Sequence, residues 1–141
     1  MKGYYIVPNF TEREKGILKK INYHVELFSQ FSKVEKLAIP SNKWVTRIVY
    51  RLPIGSAGGD YKKVLEKIVD PDYIYIRKGN IDRKLISFLS ALRSKYAQCK
   101  ILFEIPTYPY DRDALANPKN YFILQKDRHY RKQLYKYIDR I

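Results

Sequence analysis

The sequence is poor in the residues that build covalently or metal-stapled frameworks. Its 141 residues include one cysteine, Cys99, which excludes an internal disulfide and any cysteine-based zinc cluster. Cys99 reads as a small packing residue just ahead of a strand. The two histidines, His24 and His129, lack a metal-like partner at i+4, so no metal site is expected. Only six glycines occur, and the first βα loop holds no G-x-G-x-x-G, so no cofactor is expected. The glycine-containing stretch 53–59 lacks the Gly-Lys-Ser/Thr ending of a phosphate loop and reads as a connector. No apolar run approaches the roughly 20 residues of a membrane span, and the stretch after Met1 is too short for a secretory signal. Acid is scarce too. Against 28 Lys+Arg stand 14 Asp+Glu, a formal charge of +14.

What is present is an ordinary globular share of apolar residues, 45%, and 14 tyrosines. Length and composition predict one domain over residues 1–141, soluble and intracellular. The charge implies an anionic partner: nucleic acid, an anionic membrane surface or a phosphorylated substrate. Basic residues concentrate at Arg77, Lys78, Arg83, Lys84, Arg93, Lys95 and Lys100, and again from Lys119 to Arg140. Each cluster reads either as a solvated helical face or as a surface held against lipid headgroups.

Short β-branched and aromatic runs predict five strands, at 3–9, 34–39, 44–52, 73–77 and 100–105. Between them the period changes. Ile17, Ile21, Val25 and Phe28 mark a helix from Gly16 to about Phe31, behind a capping-box spacing of Thr11 and Glu14. Asp60 caps a second helix carrying Val64, Leu65 and Ile68, which Asp70-Pro71-Asp72 breaks. Leu85, Phe88, Leu89 and Leu92 mark a third. A terminal helix from about Asp127 turns Tyr130, Leu134, Tyr137, Ile138 and Ile141 inward. This alternation predicts an α/β domain: a Rossmann-like parallel five-stranded sheet of order 3-2-1-4-5 with helices on both faces.

In such a sheet the ligand crevice lies beyond the carboxyl ends of the strands, where the first and fourth diverge. Residues 9–16, 77–80 and 106–111 meet there. Amides at Gly16 can hold an anion, or Gly16 is simple turn geometry. Glu104 either pairs with Arg77 across adjacent strands, which the cost of burying a lone charge favours, or belongs to the crevice. Pro106 and Pro109 stiffen a turn in which Thr107, Tyr108 and Tyr110 offer hydroxyls and ring faces suited to a polyol. Asp111 either takes a proton from a hydroxyl or caps a helix.

The strings Gly16-Ile17-Leu18-Lys19-Lys20-Ile21, Tyr73-Ile74-Tyr75-Ile76-Arg77 and, above all, Glu104-Ile105-Pro106-Thr107-Tyr108-Pro109-Tyr110-Asp111 resemble bacterial retaining GT-B glycosyltransferases, family 4-like, of capsular and exopolysaccharide synthesis. The segment 130–141 looks like the helix leading to the last strand of that family's N-terminal domain. The resemblance implies the acceptor-binding N-terminal half of a two-domain transferase. The C-terminal domain, holding the nucleotide-sugar donor and its Glu-x(7)-Glu motif, is outside this chain, which alone would be inactive. Set in that frame, the residues read above make Asp111 the candidate catalytic residue and Gly16, Arg77, Thr107, Tyr108 and Tyr110 the candidate acceptor-binding residues. Where many relatives carry a His at the edge of the fifth strand, this chain has the Pro-Thr-Tyr-Pro-Tyr-Asp turn. Lipid-linked pyrophosphate acceptors would place the protein in the cytoplasm, peripheral at the inner membrane face. The alternative is a basic nucleic-acid-binding α/β module using helices and tyrosine stacking; most tyrosines fall on inferred strands or inward helix positions, and no known signature accompanies them.

Overall fold

The computed structural model describes residues 1–10, 14–41, 44, 48–56, 59–106 and 117–141. Strand β1 (Lys2–Pro8) leads into helix α1 (Lys15–Ser29) and strand β2 (Lys33–Ile39). Helix α2 (Tyr61–Lys67), strand β3 (Tyr73–Arg77), helix α3 (Arg83–Lys95) and strand β4 (Lys100–Glu104) follow. A 3-10 turn (Pro118–Asn120) opens helix α4 (Tyr121–Arg131), and a second (Leu134–Lys136) comes after it. The described strands form one four-stranded, all-parallel sheet in the order β2-β1-β3-β4.

Strand alternation divides the core in two. Tyr4 and Ile6 of β1 point to one face with Ile74, Ile76, Ile101 and Phe103, beneath α2 and α3. Tyr5 and Val7 point to the other, beneath Ile21, Val25 and Phe28 of α1. Helices therefore cover both faces, as alternating β and α segments require of a parallel sheet. Gly3 is glycine for a steric reason: a Cβ there would collide with the ring of Tyr73, its register partner on β3. That ring lies where its hydroxyl meets Ser32 Oγ at 2.5 Å.

The helix signals of the middle segments are realised. Asp60 accepts the Lys63 amide at 3.2 Å to start α2, and buried Asp82 accepts the Leu85 amide at 3.0 Å to start α3. Asp70, at φ 46°, makes the turn that stops α2 short of β3.

Four expectations are corrected. Among the described residues, the run 44–52 shows no strand: Trp44, Ile48 and Val49 are helical and Tyr50 and Arg51 form a turn, so the outer member of the five-stranded order 3-2-1-4-5 is not found there. Its apolar residues recur at Trp44, Ile48 and Leu52, a four-residue spacing that suits a helix as well as β-branched content suits a strand. Ile17 is exposed, and the buried stripe of α1 is carried by Ile21, Val25 and Phe28. Glu14 sits at the N-cap position of α1 without a side-chain capping bond, while Thr11 lies outside the described residues. The last helix begins at Tyr121, and Ile141 is exposed. Here the chain end pairs with β4 rather than continuing a helix: Asp139 N–H donates to the Ile101 carbonyl at 2.8 Å and Phe103 N–H to the Arg140 carbonyl at 3.0 Å.

Replacing Leu89, fully buried under the sheet, by alanine should cost about 2–5 kcal/mol. Ile17→Ala should change stability by less than about 0.5 kcal/mol. Urea unfolding of the two variants, followed by circular dichroism, checks both; a large loss for Ile17→Ala would mean that α1 packs through a different face.

Candidate functional site

The carboxyl ends of β3 and β4 carry opposite charges in register. Arg77 and Glu104 are direct partners in the parallel ladder, and the Arg77 guanidinium donates to Glu104 Oε1. The side chain of Arg77 is 6% exposed and that of Glu104 18%. A guanidinium buried to that degree requires an anion, and the neighbouring strand end supplies one. Of the two roles open to Glu104, pairing with Arg77 is the one realised, yet the carboxylate also reaches the surface.

Its other oxygen accepts from the Tyr75 hydroxyl at 3.2 Å. Helix α1 brings two more groups from above: Lys20 Nζ stands 3.8 Å from Oε1 and His24 Nδ1 4.0 Å from Oε2. Lys20 and His24 are four residues apart, which stacks them on one side of the helix. His24 is fixed in turn by the Tyr5 hydroxyl, 3.1 Å from Nδ1. Beneath it the rings of Tyr5 and Tyr75 stack at 5.0 Å and 9°, with Phe28 tilted against Tyr75 at 5.2 Å. The result is an aromatic shelf ending in a carboxylate flanked by an ammonium and an imidazole.

The electrostatics fix the protons on the shelf. Burial, then the Glu104 charge, pushes the Tyr75 phenol up to about 12. The same two causes push Tyr5 further above its ordinary range. Both phenols therefore keep their protons at neutral pH, and Tyr75 donates its own to Glu104. Each carboxylate oxygen has two lone pairs, so bonds to Arg77 and Tyr75 leave capacity for a hydroxyl from outside.

The predicted residues fare differently. Arg77 is at the strand tip as expected, but buried and held by Glu104, which is the member of the pair that reaches solvent. Gly16 is exposed in the first turn of α1, one turn before Lys20, and a Cβ there would meet nothing within 4 Å. Thr107, Tyr108, Tyr110 and Asp111 lie outside the described residues. The contributions of Tyr5, Lys20, His24 and Tyr75 went unread; the Lys20-x-x-x-His24 spacing and the alternation Tyr73, Tyr75, Arg77 are the signals that point to them.

A second polar knot holds the loop after β3. Asp127 of α4 is fully buried, accepts the Ile81 amide at 2.6 Å and pairs with Arg131 at 2.8 Å. Burial also lowers the Lys78 ammonium below its ordinary value. Among the described residues, no helix is long and apolar enough to cross a membrane. No protein-family model, curated protein or solved structure matches this chain.

A phenol whose pKa is raised by folding keeps its proton after the unfolded chain has lost it. Stability should therefore fall as pH rises past the ordinary phenol value of 10.0, with the Tyr75 share of the loss complete near 12. In Tyr75→Phe that decline should be shallower, as read from urea midpoints across alkaline pH. Glu104→Gln, which strands Arg77 without its counter-charge, should cost about 2 kcal/mol or more at neutral pH.

Proposed function

We propose that this chain is the acceptor-side domain of a GT-B glycosyltransferase, binding a polyol-bearing acceptor at the carboxyl edge of its sheet. The observation that carries this reading is the Glu104 carboxylate, held by Arg77 and Tyr75 at the tips of β3 and β4 and still open to solvent beside Lys20 and His24. Sugar hydroxyls are recognised by fixed carboxylates, and sugar rings by aromatic faces; both are offered by this shelf. The sheet edge is also where ligands of open α/β sheets bind.

In this scheme Glu104 orients an acceptor hydroxyl. Lys20 and the first-turn amides around Gly16 draw in the phosphate of a lipid-linked acceptor. Arg77 acts through Glu104 as a positioning residue. Thr107, Tyr108 and Tyr110, which follow β4 in the sequence, supply further contacts, and Asp111 takes the proton from the attacking hydroxyl. The nucleotide sugar is bound by a C-terminal donor domain beyond this chain, and the positive surface keeps the assembly at the cytoplasmic face of an anionic membrane. The exposed rings of Tyr23, Tyr121 and Tyr135, together with the charge, favour the alternative of a nucleic-acid-binding module.

The two readings separate in one titration series. A sugar linked through pyrophosphate to a short polyprenyl chain should bind saturably, perturbing amide resonances of β3, β4 and α1. Lys20→Gln, a change at a half-exposed side chain that leaves the fold intact, should weaken binding about tenfold, the loss of one charge-assisted contact. No sugar transfer should occur from any nucleotide sugar with this chain alone. Complete turnover by the chain would overturn the half-enzyme reading. Tight binding of single-stranded RNA at physiological salt, without any response to the glycolipid, would replace it with the alternative.

A further inference from the structure

Helix α1 packs one side against the sheet through Ile21, Val25 and Phe28. Lys15, Lys19, Asn22 and Glu26, spaced by four, three and four residues, share another flank and are exposed. With Leu18 and Tyr23 they line an open groove of about 720 Å³. Tyr23 stands 62% exposed on its rim. Lys36 of β2 donates to Asn22 Oδ1 at 3.0 Å and ties the groove to the edge of the sheet. Lys20 and His24 lie on the other flank of the helix, beside Glu104.

The charges along this groove run against the helix that carries them. Lys15 and Lys19 stand in the N-terminal half, where the macrodipole is positive, and Glu26 in the C-terminal half, where it is negative. No acidic residue occupies the first turn and no basic residue the last. The helix cannot pair these charges itself: no residue three or four places from Glu26 is basic, and none at those distances from Lys19 is acidic. Among the described residues, Lys15, Lys19 and Glu26 form no ion pair.

A second copy of the same helix, laid antiparallel, supplies what is missing. With a two-fold axis between Asn22 and Tyr23, Lys19 and Glu26 each lie three residues from the axis. Lys19 of either chain then comes level with Glu26 of the other, and two identical ion pairs form. Each half of the helix meets the charge that its macrodipole favours, and the two exposed Tyr23 rings meet beside the axis. This antisymmetry of charge selects the partner. An anionic bilayer or a nucleic acid would take Lys15 and Lys19 but repel Glu26. We propose that this flank of α1 is a self-complementary interface through which two copies of the chain form an antiparallel two-fold dimer. One helix pair buries less than a standard interface, and subunits of charge +14 repel each other, so the dimer is weak and reversible. The inference stands apart from the acceptor reading, since it uses none of the residues on the β3–β4 shelf.

Sedimentation equilibrium of the full chain, at about 0.15 M salt, should show monomer and dimer in exchange. Glu26→Lys and Lys19→Glu, both at exposed positions, should each weaken association about tenfold or more by setting like charges opposite one another. An equimolar mixture of the two variants should recover it, because in the mixed dimer opposite charges face each other at both places. Tyr23→Ser should weaken association while leaving the circular dichroism spectrum unchanged. A monomer at every concentration up to about 1 mM would overturn the proposal. A dimer indifferent to both charge reversals would place the contact on another surface and overturn it as well. Loss of association in both variants without recovery on mixing would rule out the antiparallel register. A monomer that binds anionic vesicles, and ceases to in Tyr23→Ser, would assign the flank to lipid instead.

Discussion

The arrangement at the carboxyl edge of the sheet depends on one cross-strand ion pair, Arg77 with Glu104. A guanidinium almost wholly removed from water is tolerated only against a carboxylate with good geometry, and the parallel register puts the two at the same level. From that requirement the rest of the cluster follows. Glu104 is fixed on one side, so Tyr75 can donate to its other oxygen, and α1 can bring a histidine and a lysine close without colliding. The stacked tyrosines below are kept protonated by burial and by the same carboxylate. Neutralisation, donor assignment and the open acceptor sites thus have a single origin.

Much of this was legible in the sequence where local and tertiary preferences agreed. β1, β3 and β4 are short apolar runs bounded by turn residues, and α2 and α3 begin at aspartates that cap them. The Arg77–Glu104 pair was readable too, because two strand ends carrying opposite charges can meet only in a parallel sheet. Reading failed where two periods overlap: the run from Trp44 to Leu52 is β-branched enough for a strand and spaced for a helix. The turn at the end of this run is also held from far along the chain, by the Lys126 ammonium on the carbonyls of Tyr50, Leu52 and Gly55, a contact that local spacing does not show. Ile141 was misplaced for a related reason. Helical spacing counts side chains, but Asp139 and Arg140 are held by backbone bonds to the edge of β4.

The two edges of the sheet are managed differently. β2 is largely exposed and carries Lys33, Glu35 and Lys36, charges that discourage another strand from adding there. β4 is instead covered in part by the chain end, with a parallel bridge between Leu102 and Arg140. Arg93 of α3 locks this cover in place by donating to the carbonyls of Tyr137 and Cys99, both at 2.7 Å, and to Asp139. Cys99, beside this clasp, is buried and its thiol is raised to about 11 chiefly by that burial, which makes it an unreactive packing group.

Helix α4 grips two distant loops through adjacent side chains. Lys126 gathers the carbonyls of the turn at 50–55, and Asp127 takes the amide of Ile81 in the loop that leaves the tip of β3. Lys126 and Asp127 are consecutive residues in the middle of α4, so the turn after residue 50 and the loop leaving β3 are pinned to one point of a single helix.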